Sequence, residues 1–288
     1  MVSRAARVGP NRFPPGAVAA QVPSRLQEPV PRRQPRAAAH RPAHRVDRPS
    51  LDHDWPGVDF LGEGLRRAFA LLLGGDAEVS GVVLLTLKVA VTATLIACAF
   101  GLPLGFFLAT RPFWGRRAAF TLVNTALAFP TVVTGLLLFG LLSRRGPLGG
   151  VGWLYTWQAI ALGDVCIALP IAAALSAAAV QGVDPRIRRT AQTLGASAWR
   201  TAWAVAREAR FALAAVITAA FGHVIAEIGS AMMVGGNIRG STRTLTTAIA
   251  LYTGQGDFGL ALALGVILLV LALLVNIALQ VLQGQGHA

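Results

Sequence analysis

Five long apolar runs constrain what this chain can fold into. Each is as long as the stretch of about 20 apolar residues that a helix needs to cross a bilayer. Charged residues make up only 14% of the 288-residue chain, against about a quarter in soluble domains. The runs are residues 89–110, 118–143, 153–180, 211–234 and 258–288. The sequence therefore predicts an all-α integral membrane protein with about five transmembrane helices, spanning roughly 81–109, 118–143, 153–180, 211–234 and 258–282.

An amphipathic segment precedes the first apolar run. Plotted at helical spacing, its apolar and charged side chains fall on opposite arcs. The apolar arc holds Leu61, Leu65, Ala68, Phe69 and Leu72, and the other arc holds Asp59, Glu63, Arg66 and Arg67. Four charges exclude a membrane span, so we predict an N-terminal helix lying in the membrane interface.

The net charge of +13 is concentrated in an N-terminal tail. Residues 1–50 hold ten arginines against Glu28 and Asp47. The segment 1–57 is rich in Pro, Arg and Ala and has no apolar period, which predicts a disordered basic tail. A tether for nucleic acid or lipid headgroups is one interpretation. The other interpretation is that this segment is not part of the mature protein. We expect no nucleic-acid partner. The remaining residues, 58–288, form the predicted transmembrane domain.

The distribution of arginines between the loops predicts the orientation. Loops 111–117 and 186–210 lie on one side and hold nine arginines, whereas loops 144–145 and 239–243 on the opposite side hold four. Because positive loops face the cytoplasm, the nine-arginine side and the C-terminus are predicted to be cytoplasmic. The basic tail would then lie outside, against this tendency, and our hypothesis is that translation begins at Val58.

This hypothesis predicts that mass spectrometry of the native protein finds an N-terminus at residue 58. Peptides from residues 1–50 in the native protein would contradict it.

The segment after the third run is predicted to form two short helices joined by a glycine. Asp184 is a suitable N-cap and Pro185 suits a first helical turn. Gly195 can end that helix in the left-handed conformation, and Ser197 can cap the next helix. Such a rigid basic element suits docking to a partner, although an ordinary cytoplasmic loop would carry the same charge.

The same segment resembles the cytoplasmic signature of ABC-importer permeases, E-A-A-x-x-x-G-x(9)-I-x-L-P. Ala191, Gly195 and Val205 agree with it, whereas Arg189 takes the Glu position and Arg207-Glu208 replace Leu-Pro. The resemblance implies a coupling helix that seats in an ATPase subunit. Its implied coupling residues are Arg189, Thr190, Ala191, Leu194, Gly195, Ala196 and Ser197.

The resemblance extends over about residues 58–282. Segments 87–105, 129–138 and 168–171 are similar to the first three core spans of these permeases, and 227–249 resembles the tungstate branch, related to molybdate and sulfate permeases. It implies a type I permease fold and a homodimer that carries an oxyanion, with tungstate first and molybdate, sulfate or another substrate as alternatives. The implied partners are membrane lipid, an extracytoplasmic solute-binding protein and cytoplasmic ATPase subunits, which bind ATP and magnesium. This chain itself would need no cofactor.

Seven residues are candidates for the transport pathway. Gly235-Gly236 permit irregular backbone at the outer end of the fourth span, and Arg239 and Arg243 supply positive charge for an anion. The alternative for the two arginines is that they anchor the protein at the interface. The candidates are Asp164, Glu227, Gly235, Gly236, Asn237, Arg239 and Arg243.

Ionisable residues inside membrane spans are costly and therefore functional candidates. Lys88 is expected to snorkel, and Asp164 to pair with Lys88 or a backbone dipole, or to be protonated. Glu227 and His223 are spaced to share one helix face, where a hydrogen-bonded pair is favoured over a proton relay. Two such residues do not make a metal site.

No catalytic role is expected, because the sequence contains no phosphate-binding G-x-x-x-x-G-K-[ST] loop. An ATP-independent carrier that moves protons through the ionisable residues of spans three and four remains the alternative function.

Overall fold

The computed structural model describes residues 59–74 and 76–284. Its regular elements are all helical, and no strand occurs within these residues, so the all-α prediction is confirmed. The helices are α1 (Asp59–Gly74), α2 (Ala77–Thr110), α3 (Arg116–Leu127), α4 (Thr131–Leu142), α5 (Trp157–Gln181), α6 (Pro185–Thr193), α7 (Ala198–Glu208), α8 (Arg210–Ile225), α9 (Gly229–Gly235), α10 (Leu245–Gly254) and α11 (Phe258–Gly284), with a 3₁₀ turn at Gly149–Val151. The basic tail, including the hypothetical start at Val58, lies outside the described residues.

Helices α2, α5 and α11 are each long and apolar enough to cross a membrane, with mean hydropathies of 2.2, 2.0 and 3.0. The pairs α3–α4 and α7–α8 would raise the number of spans in the described chain to five, but they bend by 99° and 64°. The predicted span 118–143 is therefore not one straight helix. Pro130 has no N–H for a helix interior and disfavours helical backbone at Phe129, so the chain breaks between Leu127 and Thr131.

The predicted span 211–234 is also broken, because α8 ends at Ile225 and α9 begins at Gly229. At the break, α9 approaches the start of α4 closely, and a Cβ on Gly229 would lie 2.6 Å from the Thr131 hydroxyl oxygen. The Glu227 carboxylate accepts a hydrogen bond from the Ser230 backbone N–H at 3.1 Å. This side chain thus satisfies one of the donors left free at the start of α9.

The two longest central helices, α2 and α5, pack through small residues. A Cβ on Gly105 would lie 2.2 Å from the Ala173 carbonyl oxygen, and one on Gly101 would lie 2.6 Å from the Ala172 Cβ. The hydroxyl of Ser176 donates a hydrogen bond to the Leu102 carbonyl at 3.0 Å. Small residues that let two backbones approach are a general means of packing helices in membranes.

Helix α10 begins inside the bundle. Its first backbone N–H, at Leu245, donates to the Thr86 hydroxyl of α2 at 2.9 Å, and Leu245 is fully buried. Thr244 and Thr247 form a reciprocal capping box at this end, which satisfies further donors of the first turn. The segment between α9 and α10 is therefore held at a buried helix start as well as at the end of α9.

Helix α1 packs on α11 through its smallest residues. Ala68 is buried, and a Cβ on Gly64 would clash with the Leu262 side chain at 2.6 Å. Leu61, Leu65 and Phe69 point away from the bundle and are 47–59% exposed. The predicted apolar arc is thus divided between a small face on α11 and a bulky exposed face, which suits a helix in the interface.

Replacing Gly105 by alanine should lower thermal stability, because the added methyl meets the α5 backbone and overpacking costs about 1–3 kcal/mol. Gly81→Ala is the matched control, since a Cβ at this position of α2 has no neighbour within 4 Å and alanine favours helix. Thermal unfolding in detergent should show a lower midpoint for G105A alone. Equal midpoints would refute the close approach of α2 and α5.

Candidate functional site

The loop between α9 and α10 has an unusual, well-fixed backbone. Gly236, Asn237 and Gly240 all have positive φ, at 70°, 50° and 73°. The fully buried Thr242 hydroxyl donates to the Gly235 carbonyl at 2.6 Å and accepts from the Ile238 N–H at 3.0 Å. One threonine therefore holds both sides of the left-handed turn that ends α9.

The two adjacent glycines of this loop have different surroundings. Gly235 is buried, and a Cβ there would lie 2.8 Å from the Ile160 side chain. Gly236 is exposed, with a left-handed φ, and lies beside the Tyr155 ring. The Tyr155 N–H donates to the Val234 carbonyl at 2.9 Å, so the end of α9 is fastened to the residues before α5.

The two arginines of the loop converge on one carboxylate. Arg239 binds Glu78 through both branches of its guanidinium, with Nε 2.6 Å from Oε1 and Nη2 bonded to Oε2. Arg243 Nη1 lies 3.7 Å from the same Oε1, and its Nε donates to Asn237 Oδ1 at 3.3 Å. Asn237 in turn donates to the Thr247 carbonyl at 3.3 Å. The loop is thereby joined to the first turn of α2.

The two arginines differ in exposure. The side chain of Arg239 is 72% exposed, whereas that of Arg243 is only 13% exposed. The hydrogen bond to the Glu78 carboxylate raises the pKa of Arg239 above its ordinary value. Guanidinium groups are charged at neutral pH, so Arg239 presents its charge toward solvent and Arg243 holds its charge in a largely buried position.

A cavity of about 680 Å³ adjoins these residues, and we call it the outer cavity. Its described charged lining consists of Glu78, Lys88, Arg239 and Arg243. The Lys88 ammonium lies 3.8 Å from the centre of the Trp157 ring, a cation–π contact. Three cations and one carboxylate give this part of the wall an excess of positive charge, which attracts anions.

Asp164 lies in a separate polar cluster in the interior. It is 3% exposed and accepts a hydrogen bond from the Ser230 hydroxyl at 3.2 Å. Of the alternatives for Asp164, the pairing with Lys88 is not the one observed, because the Lys88 ammonium lies over the Trp157 ring instead. The Thr246 hydroxyl donates to the Glu227 carbonyl at 2.8 Å, so this cluster links α5, the α8–α9 break and the start of α10.

The expected pair of His223 and Glu227 is wrong. The helix ends at Ile225, so helical spacing no longer places the two side chains on one face. Glu227 binds the start of α9, whereas His223 is exposed and lines a groove of about 490 Å³ together with Cys166. The two ionisable groups therefore serve different parts of the bundle.

The predicted helix–glycine–helix segment is present at the end of the bundle where α2 terminates. Asp184 caps α6 by accepting from the Arg186 N–H at 2.8 Å, Gly195 has φ of 74°, and Ser197 caps α7 by accepting from the Arg200 N–H at 3.4 Å. These local predictions are confirmed.

One side of this segment is anchored in the bundle, because Val205 is buried in a cluster with Val180 and Arg188 donates to the Thr110 carbonyl at 3.4 Å. Of the predicted coupling residues, Ala191 and Ala196 are half-buried. The exposed ones are Arg189, Thr190, Leu194, Gly195 and Ser197.

Bulky apolar side chains of the same segment point outward. Leu194, Trp199 and Trp203 are 81%, 77% and 63% exposed. Exposed apolar side chains of this size are typical of surfaces that contact a protein partner or the membrane.

Together, the membrane-length helices and the two bent helix pairs define a multi-pass membrane protein. Residues 101–284 match the family described as binding-protein-dependent transport system inner membrane component. The chain belongs to this family, so it is a membrane permease subunit and not an enzyme.

Several curated relatives are permeases. The tungstate uptake system permease proteins TupB of Peptoclostridium acidaminophilum and Campylobacter jejuni are 34% and 37% identical to this chain. The alignments cover 78% and 76% of this chain and 99% and 92% of the relatives. A probable anion ABC transporter permease protein of Haloferax volcanii is 39% identical over 70% of this chain and 90% of its own length.

Solved structures share the fold. A bacterial ABC transporter involved in the import of the acidic polysaccharide alginate matches with a TM-score of 0.62 and 16% identity, over 81% of this chain and 90% of the other. The same kind of transporter bound to its periplasmic protein matches with a TM-score of 0.59 and 18% identity, over 78% and 87%. The predicted ABC-importer permease fold is confirmed.

Two residues that hold the loop between α9 and α10 are not among those that the sequence predicts, namely Glu78 and Thr242. Glu78 follows the N-cap Asp76 in the first turn of α2, where an acidic residue suits the helix dipole. This local role is sufficient to explain a glutamate at this position, so the sequence does not point to its arginine partners. Thr242 was passed over because threonine is common in loops. The arginine partners of Glu78 are distant in sequence, since Glu78 and Arg239 are 161 residues apart.

Replacing Thr242 by valine should loosen the loop, because the Gly235 carbonyl and the Ile238 N–H would lose a buried partner, at a cost of about 1–3 kcal/mol. Hydrogen exchange of residues 236–243 should become faster. Ser241→Ala, at an exposed neighbouring position, should leave exchange unchanged. Slow exchange retained in T242V would show that the hydroxyl does not hold the turn.

Proposed function

We propose that this chain is the permease subunit of an ATP-driven importer that carries an oxyanion, most specifically tungstate, across the bacterial inner membrane. Molybdate and sulfate are the next candidates. The observation that carries the proposal is the convergence of Arg239, Arg243 and Lys88 on the outer cavity, in a chain whose curated relatives include tungstate permeases.

The chemistry of the outer cavity suits a tetrahedral dianion. A guanidinium offers two parallel N–H donors that match two oxygens of an oxyanion, and such charge-assisted pairs are strong. Arg243 is positioned by Asn237, and Lys88 adds a point charge from the α2 side. A solute-binding protein would select the anion, so the cavity needs only to accept it. Gly236 gives the loop the turn that presents both arginines.

Two copies of the chain would form the pathway, and each would dock a cytoplasmic ATPase subunit that binds ATP and magnesium. The predicted contact is the α6–α7 segment, with exposed Arg189, Thr190, Leu194 and Ser197 near Gly195. Movement of this segment would reach the spans through its buried anchor at Val205. No cofactor is assigned to this chain.

Asp164 and Glu227 have a different role in this proposal. Carboxylates repel an anion, and both accept hydrogen bonds from Ser230, Asp164 from its hydroxyl and Glu227 from its backbone N–H. We assign them to holding α9 against α5, so that the loop stays in place while the anion passes.

Replacing Arg239 or Arg243 by glutamine should reduce tungstate uptake at least tenfold, because each variant removes a positive charge and a donor fork from the outer cavity. Uptake would be measured by elemental analysis of cells that express the complete transporter. Arg145→Gln is the control, since Arg145 is an exposed arginine of the other loop on the same predicted side. Equal losses in all three variants would contradict a specific role for the cavity.

Replacing Gly195 by valine should abolish assembly with the ATPase subunit, because a β-branched residue is strained at φ of 74° and costs roughly 1–2 kcal/mol in left-handed backbone. Gly240→Val is a matched control with φ of 73° in the loop before α10. Affinity purification should recover the ATPase with G240V and not with G195V. An intact complex with G195V would refute the coupling assignment.

A further inference from the structure

Glu78 already occupies the arginines that the proposed function assigns to the anion. Its two carboxylate oxygens accept hydrogen bonds from Nε and Nη2 of Arg239, and Oε1 lies 3.7 Å from Arg243 Nη1. Among the described residues that line the outer cavity, Glu78 is the only acidic residue. An oxyanion therefore cannot engage the same fork of Arg239 until this carboxylate moves away.

The surroundings of Glu78 fix its backbone and leave its side chain free to move. The Asp76 carboxylate accepts from the backbone N–H groups of Glu78 and Val79 at 2.7 and 3.2 Å, which holds the first turn of α2. The Glu78 side chain is 35% exposed and that of Arg239 is 72% exposed. An ion pair this open to water contributes little to stability, so an anion in solution can compete with it.

The charge balance favours such an exchange. With Glu78 in place, the described lining of the cavity carries one carboxylate and three cations, which are Lys88, Arg239 and Arg243. When a dianion takes the place of the carboxylate on the arginines, it brings two negative charges where there was one. A monoanion would bring no gain over Glu78 itself, so the exchange favours doubly charged oxyanions.

We propose that Glu78 is a resident counter-anion of the outer cavity, which holds the arginines when the cavity is empty and exchanges with the incoming oxyanion. The carboxylate keeps Arg239 and Arg243 from repelling each other and keeps the loop fastened to α2. On its return it displaces the oxyanion from the arginines, so that the anion is not retained. This inference rests on the proposed function and adds a residue that regulates anion affinity.

The first test is tungstate binding to the purified permease–ATPase complex without the binding protein, by equilibrium dialysis and elemental analysis. Glu78→Gln should bind tungstate about tenfold more tightly than the wild type, because no carboxylate competes for the arginines. Asp76→Asn is the control, since asparagine retains the cap and removes one nearby negative charge without touching the Arg239 pair. Equal tightening in both variants would overturn the proposal, because it would show a general effect of charge.

A second arm tests the arginine dependence. In the double variant Glu78→Gln with Arg239→Gln, the gain in affinity should disappear, as expected for groups that compete for one partner. Glu78→Asp keeps the charge on a shorter side chain and should give a smaller gain, which provides a folded variant if the glutamine variant is unstable. A gain that persists without Arg239 would overturn the proposal.

The third arm is uptake into proteoliposomes that contain the complex and the binding protein. Glu78→Gln should lower the maximal rate of tungstate uptake several-fold while tightening binding, because the anion is released more slowly. If the wild-type complex takes up tungstate and E78Q shows the same binding and the same rate, the role of Glu78 is refuted and the proposed function remains intact. No tungstate uptake by the wild-type complex would refute the proposed function, whatever E78Q binds.

Discussion

The close approach of α2 and α5 is the constraint on which the rest of the structure depends. Gly101 and Gly105 bring the α2 backbone against Ala172 and Ala173 at distances that exclude any larger side chain. In hydrocarbon there is little hydrophobic force between helices, so packing of this kind has to supply their association. The contact therefore sets the position of both ends of α2.

Both candidate surfaces are built on the ends of this helix pair. At one end, the first turn of α2 carries Glu78, and α5 begins with Trp157, which stacks on Lys88. At the other end, the Thr110 carbonyl accepts a hydrogen bond from Arg188 of the α6–α7 segment. A shift of α2 against α5 would change the outer cavity and the α6–α7 segment together, which gives the two sites a common mechanical element.

Much of the fold could be predicted because it follows from local pattern. Apolar runs identify membrane-length helices, and Asp184, Pro185 and Gly195 mark a helix start and stop by their own backbone chemistry. The break before Gly229 was not predicted, because apolar composition continues through it. The break before Gly229 brings the start of α9 against Thr131 of α4, and no local pattern contains this tertiary contact.

The site was less predictable than the fold for the same reason. Arg239 and Arg243 were proposed as pathway residues from their place at the end of a span, but their shared carboxylate lies 161 residues from Arg239. Lys88 was one of the alternative partners for Asp164, because both residues are costly in a membrane. The structure satisfies them separately, with Ser230 and with Trp157, and one sequence offers many such pairings.

The central claim is that this chain moves an oxyanion by energy from a partner ATPase. The most direct measurement is tungstate uptake into proteoliposomes that contain the permease, the ATPase subunit and the binding protein, with ATP inside and with an uncoupler present. The account predicts uptake that requires ATP and all three components and that persists with the uncoupler. Uptake by the permease alone, driven by a proton gradient and abolished by the uncoupler, would contradict it.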